Sequence, residues 1–293
     1  MQLIYLKNKD IDYKLWDEKI EVSVGHFPYA KSWFLDIVSP GWEAIVSENY
    51  EYLMPLPVKK KMGLSYLIQP AITQQVGVFS AETINEIIVN QFINNIPYFS
   101  YQLNLNETNF ISTGISLPNY VLSLQKSSDE ISNLFSKNTV RNIEKANNAG
   151  LTAHKLDLGN EIKHFMTENA NDSYRYNLPI IFDLIEKAYE HDAMEIWGVR
   201  NPTGILIASA CFHKTTKRLI YVFPVSNSEG RSNCAMFLLI NSIINNYSEK
   251  YQLLDFEGSQ IESIARFYKG FGAINMPYYM VKKNRPQFLI GKI

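Results

Sequence analysis

Between Leu253 and Ala273 the chain reads LLDFEGSQIESIARFYKGFGA, and three side chains capable of acid–base or charge-stabilising chemistry fall within it: Asp255, Glu257 and Lys269. A carboxylate within hydrogen-bond reach of an amine can take its proton, and a lysine can neutralise charge that develops on a nearby oxygen. Side chains alternate along a strand, so Asp255 and Glu257 are expected to share one face while Leu254 and Phe256 take the other. Gly258 then permits a tight turn, and Ser259 followed three residues later by Glu262 has the form of a capping box. On the helix so started, Ile261, Ile264, Ala265 and Tyr268 recur at the spacing of a sheet-packed face, opposite a polar stripe of Glu262, Arg266 and Lys269. The plainer reading of Glu262 and Arg266 is an exposed i,i+4 pair, and a strand-end carboxylate also serves as a partner for a helix dipole.

Other polar groups are less concentrated. Arg141 and Lys145 lie four apart on a helix, as a basic solvated face or as a pair that meets a phosphate. Gln69, Gln74 and Gln75, beside Gly77, read either as hydrogen-bonding groups for an acceptor or as a polar loop. Lys59, Lys60 and Lys61 fit a solvated hairpin tip better than a phosphate site. The five histidines, His26, His154, His164, His191 and His213, are scattered without metal-ligand spacing, so no metal is expected. Cys211 and Cys234 each sit in an apolar periodic run and read as buried, unbridged thiols.

The elements that must position these groups recur. A helix over 81–94 and a strand over 98–105 follow three strands in the first half. A helix over 232–247 and the strand carrying Asp255 follow three strands in the second. A long helix running from a Ser127/Glu130 capping box to Gly150 opens the second half, and Tyr278 to Lys282 is its last strand. Glu43 and Glu195, Leu67 and Leu219, Ile88 and Ile240, and Leu103 and Asp255 are each 152 residues apart. The pattern predicts a duplicated α/β unit with mixed sheets, divided into domains 1–125 and 126–293. At the same shift Asp255, Glu257 and Lys269 fall on Leu103, Leu105 and Leu117. That inequality points to one reactive site, in the second domain, with the first as scaffold or acceptor platform.

The stretches DFEGS and FYKGFGA, with FSKNTVRNIEKANNAGL from Phe135 to Leu151, resemble the C-terminal strand and helices of the Fem-type aminoacyl transferases and their GNAT-like relatives. In the first half YAKSWFLDIVSPGWEAIV, MPLPVKKKMGLSYLIQP and QQVGVFS resemble a bacterial branch of the same superfamily, so the similarity spans nearly the whole chain. The resemblance implies two tandem GNAT-like domains and transfer of an acyl or aminoacyl group to an amine, with aminoacyl-tRNA or acyl-CoA as co-substrate and no tightly bound cofactor. The acceptor implied is a small-molecule or peptide amine, including a cell-envelope precursor. In the implied site Glu257 or Asp255 orients the amine or accepts its proton, and Lys269 holds the donor phosphate or steadies charge. Gly230, Arg231 and Ser232, joined by Arg141 and Lys145, meet the donor, and Gln69, Gln74, Gln75 and Tyr29 meet the acceptor. Glu257 and Lys269 are expected to line a cleft between the halves. The segment Ser226 to Cys234 departs from the acyl-CoA loop of GNAT enzymes, having one glycine and no second small residue in register.

Composition bounds the remainder. At 293 residues, 46% hydrophobic and 19% charged, the chain is expected to fold throughout. A net charge of −1 gives no global field for duplex DNA, so any tRNA contact is local. Its apolar runs are of strand length, which favours a cytoplasmic protein without an integral membrane segment. The rival to an acyltransferase is a non-catalytic binding protein on a duplicated acyltransferase fold.

Overall fold

The structure, a computed structural model, describes residues 1–25 and 27–284, so the expectations for His26 and residues 285–293 fall outside the described residues. It divides into two compact units, Met1–Pro118 joined by the segment that starts at Met276, and Asn119–Asn275.

In the first unit β1 (Leu3–Leu6), α1 (Tyr13–Glu21), α2 (Ser32–Val38), β2 (Glu43–Ser47) and β3 (Leu53–Leu56) precede a hairpin of β4 (Val58–Lys61) and β5 (Leu64–Ile68). Then come α3 (Glu86–Asn94), β6 (Tyr101–Asn104) and β7 (Ile115–Leu117). The strands form a three-stranded sheet, β1-β2-β3, and a five-stranded one ordered β4-β5-β6-β15-β7, where β15 is Tyr278–Lys283. Asn85 caps α3 by accepting from the Ile88 N–H, and Val89, Phe92 and Ile93 are the residues that helix buries.

The second unit runs β8 (Tyr120–Ser123), α4 (Ser128–Ser132), α5 (Lys137–Asn148), β9 (Thr152–Leu156), α6 (Asn160–Asn169), α7 (Asp172–Arg175), α8 (Leu178–Glu190), β10 (Met194–Arg200), β11 (Leu206–Lys214) and β12 (Arg218–Ser226). It ends with α9 (Ser228–Ser232), α10 (Ala235–Tyr247), β13 (Leu253–Asp255), α11 (Glu262–Gly270) and β14 (Ile274–Asn275). Its seven strands are ordered β14-β8-β13-β12-β11-β10-β9. The Ser127/Glu130 capping box is present, but the helix expected to continue to Gly150 is two helices, because Ser136 caps a new start by accepting from the Thr139 N–H. The Ser136 N–H also donates to the Gly270 carbonyl at 2.8 Å. A side chain at Gly270 would press on Thr139, so this glycine is what lets α11 close on α5.

The duplication is visible in the strand order. In each unit one parallel pair is linked through a helix, β5-α3-β6 and β12-α10-β13, then flanked by an antiparallel strand and a short one: β15 and β7 in the first, β8 and β14 in the second. The flanking strands are where the expected boundary differs from the structure. β8 lies before residue 125 in the chain but pairs with β13, while β15 pairs with β6 in the first unit. Alternation of apolar residues defines a strand and its buried face, not the sheet it joins. Leu122 and Leu124 accordingly belong to the core of the second unit, with Leu219, Ile240 and Leu254, and Val281 to that of the first, with Leu103 and Phe92.

Both copies bury a glutamate at the equivalent point of the sheet. Glu43 accepts from the Tyr5 and Tyr98 hydroxyls and from Lys7 at 2.9 Å; Glu195 accepts from the Tyr247 hydroxyl, from Lys155 at 3.0 Å and from the Trp197 indole at 3.3 Å. Burial pushes each carboxyl up, but the donors outweigh it and hold both below the usual range. These two glutamates tie their strands to neighbouring elements of the same unit.

Candidate functional site

The second unit's parallel pair opens into a fork. β12 pairs with β13 through Arg218, Leu219 and Ile220, yet continues to Ser226. On its other side β12 carries a bulge, with Phe223 and Pro224 standing opposite Ala210 between the Ser209↔Val225 and Cys211↔Val222 pairs. Phe223 holds a left-handed backbone, φ 54, inside the strand. A bulky residue there is a local strain, and a bulge turns backbone groups out of the ladder.

Where the fork opens lies a pocket of about 370 Å³. Tyr221, Pro224 and Ser226 of β12 form one wall, Phe237 and Met236 of α10 another, and Ile264, Phe267 and Tyr268 of α11 a third. Gly230, Arg231 and Cys234 also line it, and none of the described lining residues is a carboxylate. Cys234 is the N-cap of α10 with φ 58 and no side-chain cap, so the positive end of a thirteen-residue helix is presented beside the pocket. Arg231 is exposed, and its guanidinium donates to the Ser226 carbonyl. Gly230 has a structural reason to be glycine, since a Cβ would collide with the Ile207 carbonyl, and its N–H is taken by Asn227 at 2.8 Å. Ser232 is exposed at the end of α9.

Glu257 adjoins this pocket through two tyrosines. Burial pushes the Tyr268 hydroxyl well up, with Tyr174, Glu257 and Asp255 adding to it, and Tyr174 is raised by burial and then by Glu257. Both rings therefore stay neutral near a carboxylate. Tyr268 stacks on Phe256 at 4.8 Å and meets Tyr221 edge-on at 6.3 Å, which fixes its ring. The left-handed residue of the turn is Glu257 itself, φ 57, where Gly258 was expected to supply the freedom. Its N–H donates to Asp255 Oδ1 at 2.8 Å and its carbonyl accepts from the Tyr120 N–H at 3.1 Å. A strained non-glycine residue held at a strand end is a common mark of a working site.

Other expected groups have different places. Asp255 is fully buried and paired with Arg218 Nη1 at 2.5 Å, so its carboxylate is committed to holding β12 to β13. Lys269 is exposed, with its ammonium 5.4 Å from the Tyr120 ring centroid, and is not among the pocket-lining residues. The expected capping box at Ser259 does not form. Ile261 is the N-cap without a side-chain bond, and Ser259 Oγ accepts from the Ile261 N–H. Ile261 and Ile264 are exposed at 60% and 37%, leaving Ala265 and Tyr268 as the packed face. Glu262 and Arg266 make the exposed pair at 2.8 Å.

Arg141 is exposed on α5 and bonded to Asn138 at 2.8 Å, and Lys145 is exposed one turn on; neither lines the pocket. In the first unit Gln69 bridges Thr73 and Asn104, both at 2.9 Å, and Gln75 is buried between Gln74 and the Glu107 N–H. Tyr29 is buried against Phe27 and Phe34. These side chains fasten loops and core. Cys211 is buried and its thiol is pushed up to about 12 by burial, whereas Cys234 is only half-buried, contrary to expectation. Tyr174, Phe237 and Phe267 were not foreseen, since an aromatic at helical spacing is indistinguishable from core until its neighbours are known.

No protein-family model matches the chain, and no curated protein matches its sequence. Solved structures do match. FemX superposes with a TM-score of 0.70 over 99% of this chain and 98% of that one, at 11% identity. A tandem GNAT protein from the clavulanic acid biosynthesis pathway gives 0.55 over 97% and 100%, at 10% identity. L-PGS from Bacillus licheniformis gives 0.57 over 94% and 92%, at 10% identity. The chain has a Fem-type tandem GNAT-like fold. Within this fold the forked strands, the bulge and the pocket all belong to the second GNAT-like unit. No described helix is long and apolar enough to cross a membrane.

Proposed function

We propose that the chain is an N-acyltransferase whose second unit binds an activated acyl or aminoacyl donor in the forked-strand pocket and transfers its acyl group to an amine. The observation that carries this reading is the pocket itself, which joins an open strand edge, an uncapped helix N-terminus and a neutral, fixed tyrosine next to Glu257. The likeness to FemX, to a tandem GNAT protein and to L-PGS supports it at the level of fold. An amide-bearing donor can pair with the open edge of β12 as an added strand does, with its anionic part at Arg231 and the start of α10.

In the transfer the amine nitrogen attacks the donor carbonyl, the C–N bond forms, and the C–S or C–O bond to the leaving group breaks. Glu257 takes the proton released by the amine, and the neutral Tyr268 hydroxyl supplies one to the leaving group. The donor is a thioester of the CoA kind or an aminoacyl ester of tRNA, and the acceptor is a small-molecule or peptide amine, including amines of cell-envelope precursors. The test is a mass-spectrometric assay offering acyl-CoAs and charged tRNA with amine acceptors. Acylated amine that disappears with Glu257→Gln supports the reading; donor binding without any transfer favours the ligand-binding alternative, as Asp255, one of the expected carboxylates, is already committed to Arg218.

A further inference from the structure

We propose that one end of the first unit's five-stranded sheet is a docking surface for an anionic lipid bilayer. The β4–β5 hairpin turns at Met62 and Gly63, both left-handed, with φ 51 and 77. Such a turn ordinarily takes Asn-Gly or Asp-Gly, because the first position strains a larger side chain. Here a methionine occupies it and is 86% exposed, followed by Leu64 at 53%. Phe99, two residues before β6, is 76% exposed. Because β5 and β6 run parallel, Leu64 and Phe99 stand at the same end of the sheet. The antiparallel β15 runs toward the same end, with Lys283 beside Tyr101 and so level with Leu67, three residues in from Leu64, and Lys282 beside Gln102.

The described charged residues of these five strands are all lysines. Lys59, Lys60 and Lys61 make up most of β4 and are exposed, as are Lys282 and Lys283. None of the five strands contains Asp or Glu, and no carboxylate occurs in the sequence between Glu51 and Glu82 or between Glu86 and Glu107. On a chain of net charge −1 this is a marked local excess of positive charge. Lysines surrounding apolar tips match the two layers of a bilayer surface, ammonium groups at the lipid phosphates and Met62, Leu64 and Phe99 below the headgroups. A nucleic acid would engage the same lysines but would gain nothing from burying the aliphatic Met62 and Leu64.

Flotation of the full chain with vesicles tests this. Binding is expected to phosphatidylcholine vesicles containing about one-third phosphatidylglycerol, as anionic charge is required, and not to phosphatidylcholine alone. Lys59→Gln, Lys60→Gln and Lys61→Gln combined should weaken it about a hundredfold, at roughly fivefold per lysine. Met62→Ser with Leu64→Ser should weaken it about tenfold with an unchanged melting temperature, and should leave binding of an RNA hairpin as it was. Absence of flotation with the anionic vesicles overturns the proposal. So does a Met62→Ser, Leu64→Ser protein that floats like the parent, and in that case RNA binding lost with the lysines would assign the surface to nucleic acid.

Discussion

Arg218 Nη1 lies 2.5 Å from Asp255 Oδ2 across the parallel β12–β13 pair, with the two side chains 3% and 0% exposed. The pair sits at the root of the fork, where the last paired residues, Ile220 and Asp255, give way to the open edge of β12. Removing one partner leaves a buried charge uncompensated, which costs about 3–5 kcal/mol. Asp255→Ala is therefore expected to lower the denaturant midpoint steeply, and Arg218→Met with Asp255→Leu to recover most of the loss. An Asp255→Ala protein of parental stability but without activity would return Asp255 to a chemical role.

Glu257 should behave in the opposite way. A left-handed backbone costs a side-chain-bearing residue roughly 1–2 kcal/mol, partly offset by the entropy glycine loses on folding. Glu257→Gly is thus expected to stabilise the protein by up to about 1 kcal/mol in urea unfolding while reducing transfer by roughly 10²- to 10⁴-fold. Loss of stability in this variant would show that the carboxylate is structural.

His213, buried on β11, has its imidazole pushed down to about 4 by burial, from an ordinary 6.5. The folded state thus binds its proton later than the unfolded state as pH falls. Its contribution is complete above about pH 6.5 and is lost progressively as the pH drops toward 4, amounting to roughly 3 kcal/mol at full extent. Midpoints measured across that window should fall less steeply in His213→Phe than in the parent; equal slopes would contradict the assignment.

The absence of any carboxylate from the described residues of the pocket lining predicts a preference among donors. A hexanoyl group should bind better than a 6-aminohexanoyl group of the same reach, whether carried on CoA or on a 3′-amido adenosine phosphate, because the terminal ammonium would be buried without a partner. Isothermal titration with the four compounds decides it. Equal affinities within each pair would place the acyl chain outside this pocket.

Much of this architecture was legible in the sequence, because hydrophobic spacing is what builds it. The constant 152-residue separation foretold the two copies, and the apolar runs around Leu67, Leu103, Leu219 and Leu254 became their parallel pairs. The exchange of β8 and β15 was not legible, since an alternating strand does not encode its neighbour. The site was legible only in part. Gly230, Arg231 and Cys234 lie together at the pocket, but nothing at Asp255 signals that an arginine 37 residues earlier will claim it. Gly258 looked like the turn residue because glycine tolerates the conformation most easily, whereas the chain places Glu257 there, held by Asp255 and Tyr120.

The most direct test of the central claim uses Cys234, a half-buried thiol in the pocket wall, against Cys211, which is buried and has its thiol pushed up to about 12. The rate of Cys234 alkylation by iodoacetamide, read by peptide mass spectrometry, should fall along the binding curve as an acyl-CoA or an aminoacyl adenosine analogue is added. Cys211 should stay unlabelled throughout. Alkylation of Cys234 at an unchanged rate in the presence of a saturating donor would contradict the placement of that donor between β12, α10 and α11.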